Sequence, residues 1–416
     1  MTRALAPRQQ ALRVPAVLEF RNFRLLLGGQ AISRVGNGIY EATLGLMVFS
    51  AGTALAMSAV LIAFIAPQLL LTLKAGVLSD QLNRRHLLIG ADIIAAIAAV
   101  SVAVLAHGSP NVRLLILLSL GIGIAAALFN PAYGPLLSNT VPGEHLAGAN
   151  GVDAAVTNAA SLAAPALGGW LYAVGGASLA IGINGVSFIA AAACSSLIRS
   201  EPNKPPAIVS ENEPPDPGVA VAWRWIRASG WLPPLLALAL LMNLLVLGPF
   251  FVILPWRVTA QHLSPIVLGL AVSVQAGAAL AGSLVLGRRP SAHPGRRFIT
   301  VAAALPIALL TLLFVNGVLG VLLAAALVGV GMAAGVLENL MLQSWVPDHL
   351  RGRVYAFDVL VSLSSIPAGY LLAGLLISAG VTRSTGAVDA LACLVVAFVV
   401  SAGKLAHQRL AMDATL

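Results

Sequence analysis

Gly76-Val-Leu-Ser-Asp80-Gln-Leu-Asn-Arg84-Arg85-His86 places an acid and two adjacent bases between two long apolar runs. Charge is scarce elsewhere: the 416 residues hold 24 Lys and Arg and 15 Asp and Glu, against a hydrophobic share of 59%. Mean hydropathy is +0.92. An ordinary soluble domain carries about a quarter charged residues; this chain carries 9%. Apolar runs of about 20 residues have the length of a bilayer-crossing helix, whereas barrel strands alternate over about 10. The stretch therefore reads as a polar loop at a membrane surface, joining two helices of an all-α integral membrane protein.

Outward from this loop, twelve apolar runs succeed one another, at about 25–49, 57–79, 87–107, 114–137, 149–173, 178–198, 233–256, 264–287, 298–315, 318–342, 353–378 and 386–403. The longest polar break is 199–232. It holds Glu201, Lys204, Glu211, Glu213, Asp216 and six prolines, a charged composition stiffened toward polyproline II. Val219 to Trp231 follows as a short amphipathic helix with Arg224 and Arg227 on its polar side. The expected organisation is a tail over 1–24, a six-helix bundle over 25–198, a linker over 199–232, a second bundle over 233–403 and a tail over 404–416. The halves echo each other. Val141-Pro142-Gly-Glu-His145-Leu146-Ala-Gly148 follows the fourth run, and Val346-Pro347-Asp-His349-Leu350-Arg-Gly352 follows the tenth, 205 residues later with one residue deleted. A repeat at half length predicts two pseudo-symmetric six-helix bundles.

Twenty of the bases fall in alternate loops and both tails if the N-terminus is cytoplasmic; only Arg113, Arg257 and Arg383 fall in the opposite loops. The positive-inside rule then puts both termini in the cytoplasm. This spread of bases forms no stripe on a soluble face, which excludes nucleic-acid binding despite the net charge of +9. Met1 to Arg24 lacks the short apolar core and cleavage site of a signal peptide, so a cytoplasmic tail is expected. Cys194 and Cys393 lie inside apolar runs without metal-ligand spacing or a disulfide framework. No metal, cofactor or catalytic constellation is expected, and no phosphate-binding loop is present in the sequence. The chain is expected not to be an enzyme.

Twelve runs, the half-length repeat and Gly76-x-Leu78-x-Asp80-x-x-x-Arg84-Arg85 together resemble the major facilitator superfamily. Gln81 and Asn83 depart from that family's loop signature, which has Arg and Gly there; Asn tolerates the left-handed backbone a Gly would supply. Phe20-Arg-Asn22-Phe23-Arg24, Phe129-Asn-Pro131-Ala132, Leu146-Ala-Gly-Ala149-Asn150 and Gln343-Ser-Trp-Val346-Pro347 are similar to the drug-exporter branch that includes macrolide-efflux and siderophore-efflux proteins. Ala160-x-x-x-Ala164-Pro165-x-x-Gly168-Gly169 resembles the superfamily's antiporter signature in span five, with alanines for two glycines. Small residues at these spacings also serve plain helix packing. The resemblance implies the major facilitator fold and alternating access without a cofactor. The implied partners are a small-molecule substrate, the lipid bilayer and protons as the coupling ion, with the chain acting as a monomer. Span four lacks the Arg that many proton-linked exporters carry there.

Ionisable groups inside spans are costly in lipid, so each needs a role. Arg34, Asn37 and Glu41 share one face of span one at helical spacing, a polar stripe expected to line a central cavity. Glu41 could exchange a proton, bind a cationic substrate or pair with a base on another helix. Asp92, Asp153, Glu338 and Asp358 lie near the cytoplasmic ends and are expected to pair with Arg84, Arg85, Arg351 and Arg353 as a gate between the bundles. Asn130, Asn243, Gln275 and Asn339 are candidate cavity groups or helix-to-helix hydrogen-bond partners. The opening loop, with Gly76, Asp80, Arg84 and Arg85, is expected to face Gly352 and Arg353 at the start of span eleven as a conformational latch. The function expected is export of a small amphiphilic drug-like or secreted natural product, of antibiotic or siderophore class, across the inner membrane by proton antiport. The alternatives are a symporter of a small polar solute and a non-transporting receptor or scaffold.

Overall fold

The computed structural model describes residues 17–105, 111–199, 218–289 and 291–401. Among these residues every regular element is a helix. Spans one to four are Arg21–Ala51, Ala54–Gln81, Arg84–Leu105 and Val112–Asn139. The next helical run, Leu146–Ser196, has 51 residues. At 1.5 Å per residue it would extend about 77 Å, more than twice the hydrocarbon thickness of a bilayer. It breaks at Gly176, with φ 70 and ψ −172, a backbone region that only glycine occupies without strain. The two sides of this break are spans five and six.

The second half opens with the amphipathic helix Gly218–Ser229, whose Ala222 and Ile226 are buried while Arg224 and Arg227 face out. Trp231, at its end, is buried edge-on against Trp225 and Trp345. Span seven runs from Leu232 to Ala260 through a π-helical turn at Asn243–Leu247. Span eight is Pro265–Arg288. Span nine is Pro294–Ala302 continued by Ala304–Phe314, and span ten is Gly317–Met332 continued by Gly335–Trp345. Spans eleven and twelve are Asp348–Ser378 and Thr382–Ser401. Among the described residues nine helical stretches are long and apolar enough to cross a membrane, the folded-back pair counting as one; spans one and twelve complete the twelve.

The sequence repeat is also a repeat of geometry. Val141 and Val346 are both buried, and each is followed by an extended proline that starts the next helix, Pro142 at φ −61, ψ 153 and Pro347 at φ −55, ψ 140. Packing repeats as well. Span two packs on four as eight packs on ten, and three packs on six as nine packs on twelve. Between the bundles, two meets eleven as eight meets five, and one meets seven. A shift of six spans exchanges the first two contacts and returns the third to itself, as two pseudo-symmetric bundles require.

Alternation of the spans collects the loop after span two and those after spans four, six, eight and ten on one face, with Arg84, Arg85, Arg288, Arg289 and Arg351; this is termed the basic face. The bundles touch in the halves remote from it. A Cβ at Gly45 of span one would lie 2.7 Å from Pro255 of span seven. Ser58 of span two donates to the Tyr370 carbonyl of span eleven. A Cβ at Gly169 of span five would lie 2.8 Å from the Pro265 carbonyl and 3.2 Å from the Gly269 Cα of span eight. Small residues let these backbones approach closely. The amide of Ala166 adds a 3.1 Å hydrogen bond to Ser273 Oγ across the same seam.

Candidate site between the two bundles

A cavity of about 440 Å³ lies between the bundles. Spans one to four and six line it from the first bundle, and spans seven, eight and eleven from the second. The second bundle contributes mid-span and remote-half residues such as Leu254, Leu268 and Tyr370, whereas the first reaches to Gln30, Asp92 and Asn130 in the basic-face halves. The wall is mostly apolar and aromatic, with Phe64, Phe129, Phe188 and Phe251. Its polar side is span one, where Gln30, Ser33, Arg34, Asn37, Tyr40 and Glu41 follow one another at helical spacing.

Arg34 is held in a compact cluster. Its guanidinium meets Asp153 of span five bidentately, at 2.7 and 3.2 Å, the planar fork geometry that makes such pairs specific. Tyr133 of span four donates to the same Asp153 carboxylate, and Arg34 stands 5.3 Å from the Tyr133 ring centroid. Both charged side chains are under one-fifth exposed, 19% and 18%. Three spans of the first bundle are thereby joined across the dimension where they would otherwise present a lone charge. Tyr40 reaches Ser119 of span four at 3.4 Å. Glu41 is exposed and lines the cavity, with the Tyr370 hydroxyl within electrostatic range.

The cavity thus gathers Arg34, Asn37, Glu41, Asn130 and Gln275 of the residues expected in it. Asn243 and Asn339 are not among its lining groups. Asn243 donates to the Ser362 carbonyl of span eleven at 3.4 Å. Asn339 donates to Gly335 one turn earlier and accepts from Tyr355 at 3.3 Å.

The acids expected to meet loop arginines are disposed otherwise in this conformation. Asp153 takes Arg34 within its own bundle. Asp92 points into the cavity. Glu338 and Asp358, on spans ten and eleven, lie near enough to interact electrostatically with each other. Arg351 pairs with Asp348 in the same helical turn. Among the described residues the bundles touch at the opposite face, and no ion pair there joins a base of one bundle to an acid of the other. Of the expected latch, Gly76 and Asp80 lie in the last turns of span two, and the Asp80 side chain is outside the described residues. Arg84 opens span three, while Gly352 and Arg353 lie in the first turns of span eleven. Arg85 caps the end of span six through the carbonyls of Ser195 and Ser196. Cations are favoured where a helix leaves its last carbonyls unsatisfied.

The small-residue signature of span five is buried throughout, Ala160 and Ala164 included. A Cβ at Gly168 would lie 2.7 Å from the Ile39 carbonyl of span one, and Ala164 sits against Gly38. Pro165 and Gly169 face Gly269 of span eight. The same five residues therefore build both the core of the first bundle and its seam with the second. Sequence reasoning missed Gln30, Ser33, Tyr40 and Tyr133. Gln30 stands one turn before Arg34, so the polar stripe extended by its own period would have included it. No catalytic grouping appears, and no cluster of metal-ligating side chains is found among the described residues.

Residues 26–337 match the family profile described as Major Facilitator Superfamily. A protein named multidrug efflux pump Tap from Mycobacterium tuberculosis (strain ATCC 25618 / H37Rv) is 28% identical over 381 residues, covering 87% of this chain and 88% of the relative. Its namesake from Mycolicibacterium fortuitum is 28% identical, covering 87% and 90%. Among solved structures, the nucleoside transporter NupG superposes with a TM-score of 0.73 at 12% identity, covering 92% of this chain and 98% of that one. A bacterial homologue of the iron transporter ferroportin in its inward-facing state gives 0.70 at 18% identity, with the same coverages.

Proposed function

The chain belongs to the Major Facilitator Superfamily and is a multi-pass membrane transporter, and from that premise we propose that it exports a small amphiphilic molecule by alternating access. The observation that carries this reading is the cavity: both bundles line it, one polar stripe runs along it, and it is closed on the face remote from the basic loops. A wall that is apolar and aromatic with few polar groups suits a drug-like or secreted natural product. The direction is drawn from the efflux relatives, of which this chain spans 88% and 90%.

The basic face is taken as cytoplasmic under the positive-inside rule, which places both termini inside the cell and makes this conformation inward-facing. Transport then proceeds by rocking of the bundles. Spans five and eight part at Pro165, Gly169 and Gly269 while the basic face closes. Asp80 meets the first turn of span eleven at Gly352 and Arg353, and Arg351 comes within reach of acids on the first bundle. Protons supply the driving force, with Glu41 as the carboxyl that loads and releases them. Arg34 is a positioning residue, fixing span one to spans four and five through Asp153 and Tyr133. A single chain contains the complete cavity, so the transporting unit is a monomer.

The test is efflux of a fluorescent amphiphile panel from cells expressing the protein, with and without a protonophore. Export above vector control that collapses on adding the protonophore is expected. Export unchanged by the protonophore would refute proton coupling, and accumulation in place of efflux would refute the direction.

A further inference from the structure

Arg113, Arg257 and Arg383 are the bases that the chain places toward the face remote from the basic loops, and two of them come together there. Arg257 lies in the last turn of span seven and is 5% exposed. Arg383 opens span twelve and is exposed. The turn between spans nine and ten joins them. Arg257 Nη2 donates to Asn316 Oδ1 at 2.9 Å and to the Val315 carbonyl at 3.5 Å. A Cβ at Gly386, one turn after Arg383, would lie 2.7 Å from Leu313, at the end of span nine. The two guanidinium groups are within electrostatic range of each other.

A buried base ordinarily meets an acid, because an unpaired charge away from water is costly. These two bases meet none. The ion pairs among the described residues are elsewhere, at Arg34–Asp153, Arg351–Asp348 and His145–Glu144. Asp389 comes two helical turns nearer the middle of span twelve than Arg383, on another face of that helix. The partners of Arg257 are a neutral amide and a carbonyl, and its Nε is buried without an acceptor. Gln261, one turn further on, repeats the pattern. Its Oε1 accepts from the Gly317 amide at 2.7 Å, which fixes the orientation of the side-chain amide, and its Nε2 is buried without an acceptor. Buried polar atoms are almost always paired within a protein. Two positive charges and two orphaned donors therefore surround one turn, with no negative charge to balance them. Gly317 also begins span ten, whose N-terminus adds partial charge of the same sign.

We propose that this cluster binds a phosphate-class oxyanion, held between Arg257 and Arg383 with Gln261 as a further donor. The planar fork of a guanidinium matches the paired oxygens of such an anion. Arg383, at the surface, is the entry, and Arg257 is the buried end. A free phosphate and the phosphodiester of a lipid headgroup present the same oxygens. The site lies wholly within the second bundle, next to Pro255, against which Gly45 of span one closes the cavity. An anion there ties the end of span seven to the turn between spans nine and ten and to span twelve. It stiffens the half of the seal that the second bundle supplies, whatever molecule the cavity carries.

The test has two arms on the purified full-length protein in dodecyl maltoside, a detergent without phosphate. One is isothermal titration with sodium phosphate at constant ionic strength; the other is retention of phosphatidylglycerol, read by native mass spectrometry. Wild-type protein is expected to bind phosphate. Arg257→Gln should weaken binding about tenfold or more, as loss of a charged hydrogen-bond donor does, and Arg383→Gln about threefold, because that side chain is exposed. Arg113→Gln changes the base of the first bundle on the same face and should leave binding unaltered. Phosphatidylglycerol retained by wild type and Arg113→Gln but lost from Arg383→Gln, without uptake of free phosphate, supports the site with a lipid headgroup as its occupant. Binding of neither phosphate nor phosphatidylglycerol overturns the proposal, as do equal losses in Arg383→Gln and Arg113→Gln. If Arg257→Gln is not monodisperse, Gln261→Leu takes its place beside Arg383→Gln; a loss of about threefold in each supports the site, and unchanged binding in both overturns it.

Discussion

Gly269→Ala probes the seam on which alternating access depends. A Cβ there would collide with the Pro165 carbonyl oxygen and lie 3.0 Å from the Gly169 nitrogen and 3.1 Å from the Gly169 Cα. All three are backbone atoms, so no side chain can rotate aside. Carbon atoms pack at about 3.5–4.0 Å, and spans five and eight would have to separate by roughly half an ångström to one ångström. Such overpacking costs about 1–3 kcal/mol. The cost falls only on the state in which these spans touch, so the ratio of the two states shifts roughly 5- to 150-fold toward opening of the face remote from the basic loops. Gly287→Ala is the control: it lies on the same helix, and its Cβ would meet nothing within 4 Å. A reporter cysteine at Leu44, buried in the cavity wall, is labelled with a membrane-impermeant maleimide from the remote face, with Cys194 and Cys393 replaced by serine. Gly269→Ala should label at least about five times faster than Gly287→Ala, which should match the parent. Equal rates in all three proteins would refute the idea that this seam closes the cavity.

Three further outcomes follow from the same geometry. Arg34→Ala leaves the Asp153 carboxylate with Tyr133 alone and should cost about 2–4 kcal/mol, a little under the usual range for a fully buried pair; thermal unfolding in detergent should show that adding Asp153→Asn recovers part of the loss, and strictly additive losses would argue against the pair. Gly176→Ala forces a Cβ onto a left-handed backbone at the turn between spans five and six and should destabilise by about 1–3 kcal/mol, read as a lower melting temperature, whereas no shift would mean that the turn tolerates any residue. Glu41→Gln should abolish protonophore-sensitive efflux with little change in melting temperature; retained, protonophore-sensitive efflux would remove Glu41 from the coupling step.

What the sequence determined by itself is whatever depends on length and period. The apolar runs set twelve crossings, because a helix must satisfy its own backbone in lipid and needs about 20 residues to do so. The paired Val-Pro turns at 141 and 346 revealed the duplication. The spacing of Arg34, Asn37 and Glu41 placed them on one face, and that face lines the cavity. The tertiary structure alone decided which helix comes to meet each face. Arg34 finds its carboxylate 119 residues away, at Asp153. Asp92, about two helix turns beyond two arginines in the chain, lines the cavity. Asn243 and Asn339 satisfy themselves on neighbouring carbonyls outside it. A helical period states which residues share a face; it carries no information about the rotation of that helix against its neighbours. That rotation is settled by close backbone contacts such as Gly168 on Ile39 and Gly269 on Pro165, and partners follow from it.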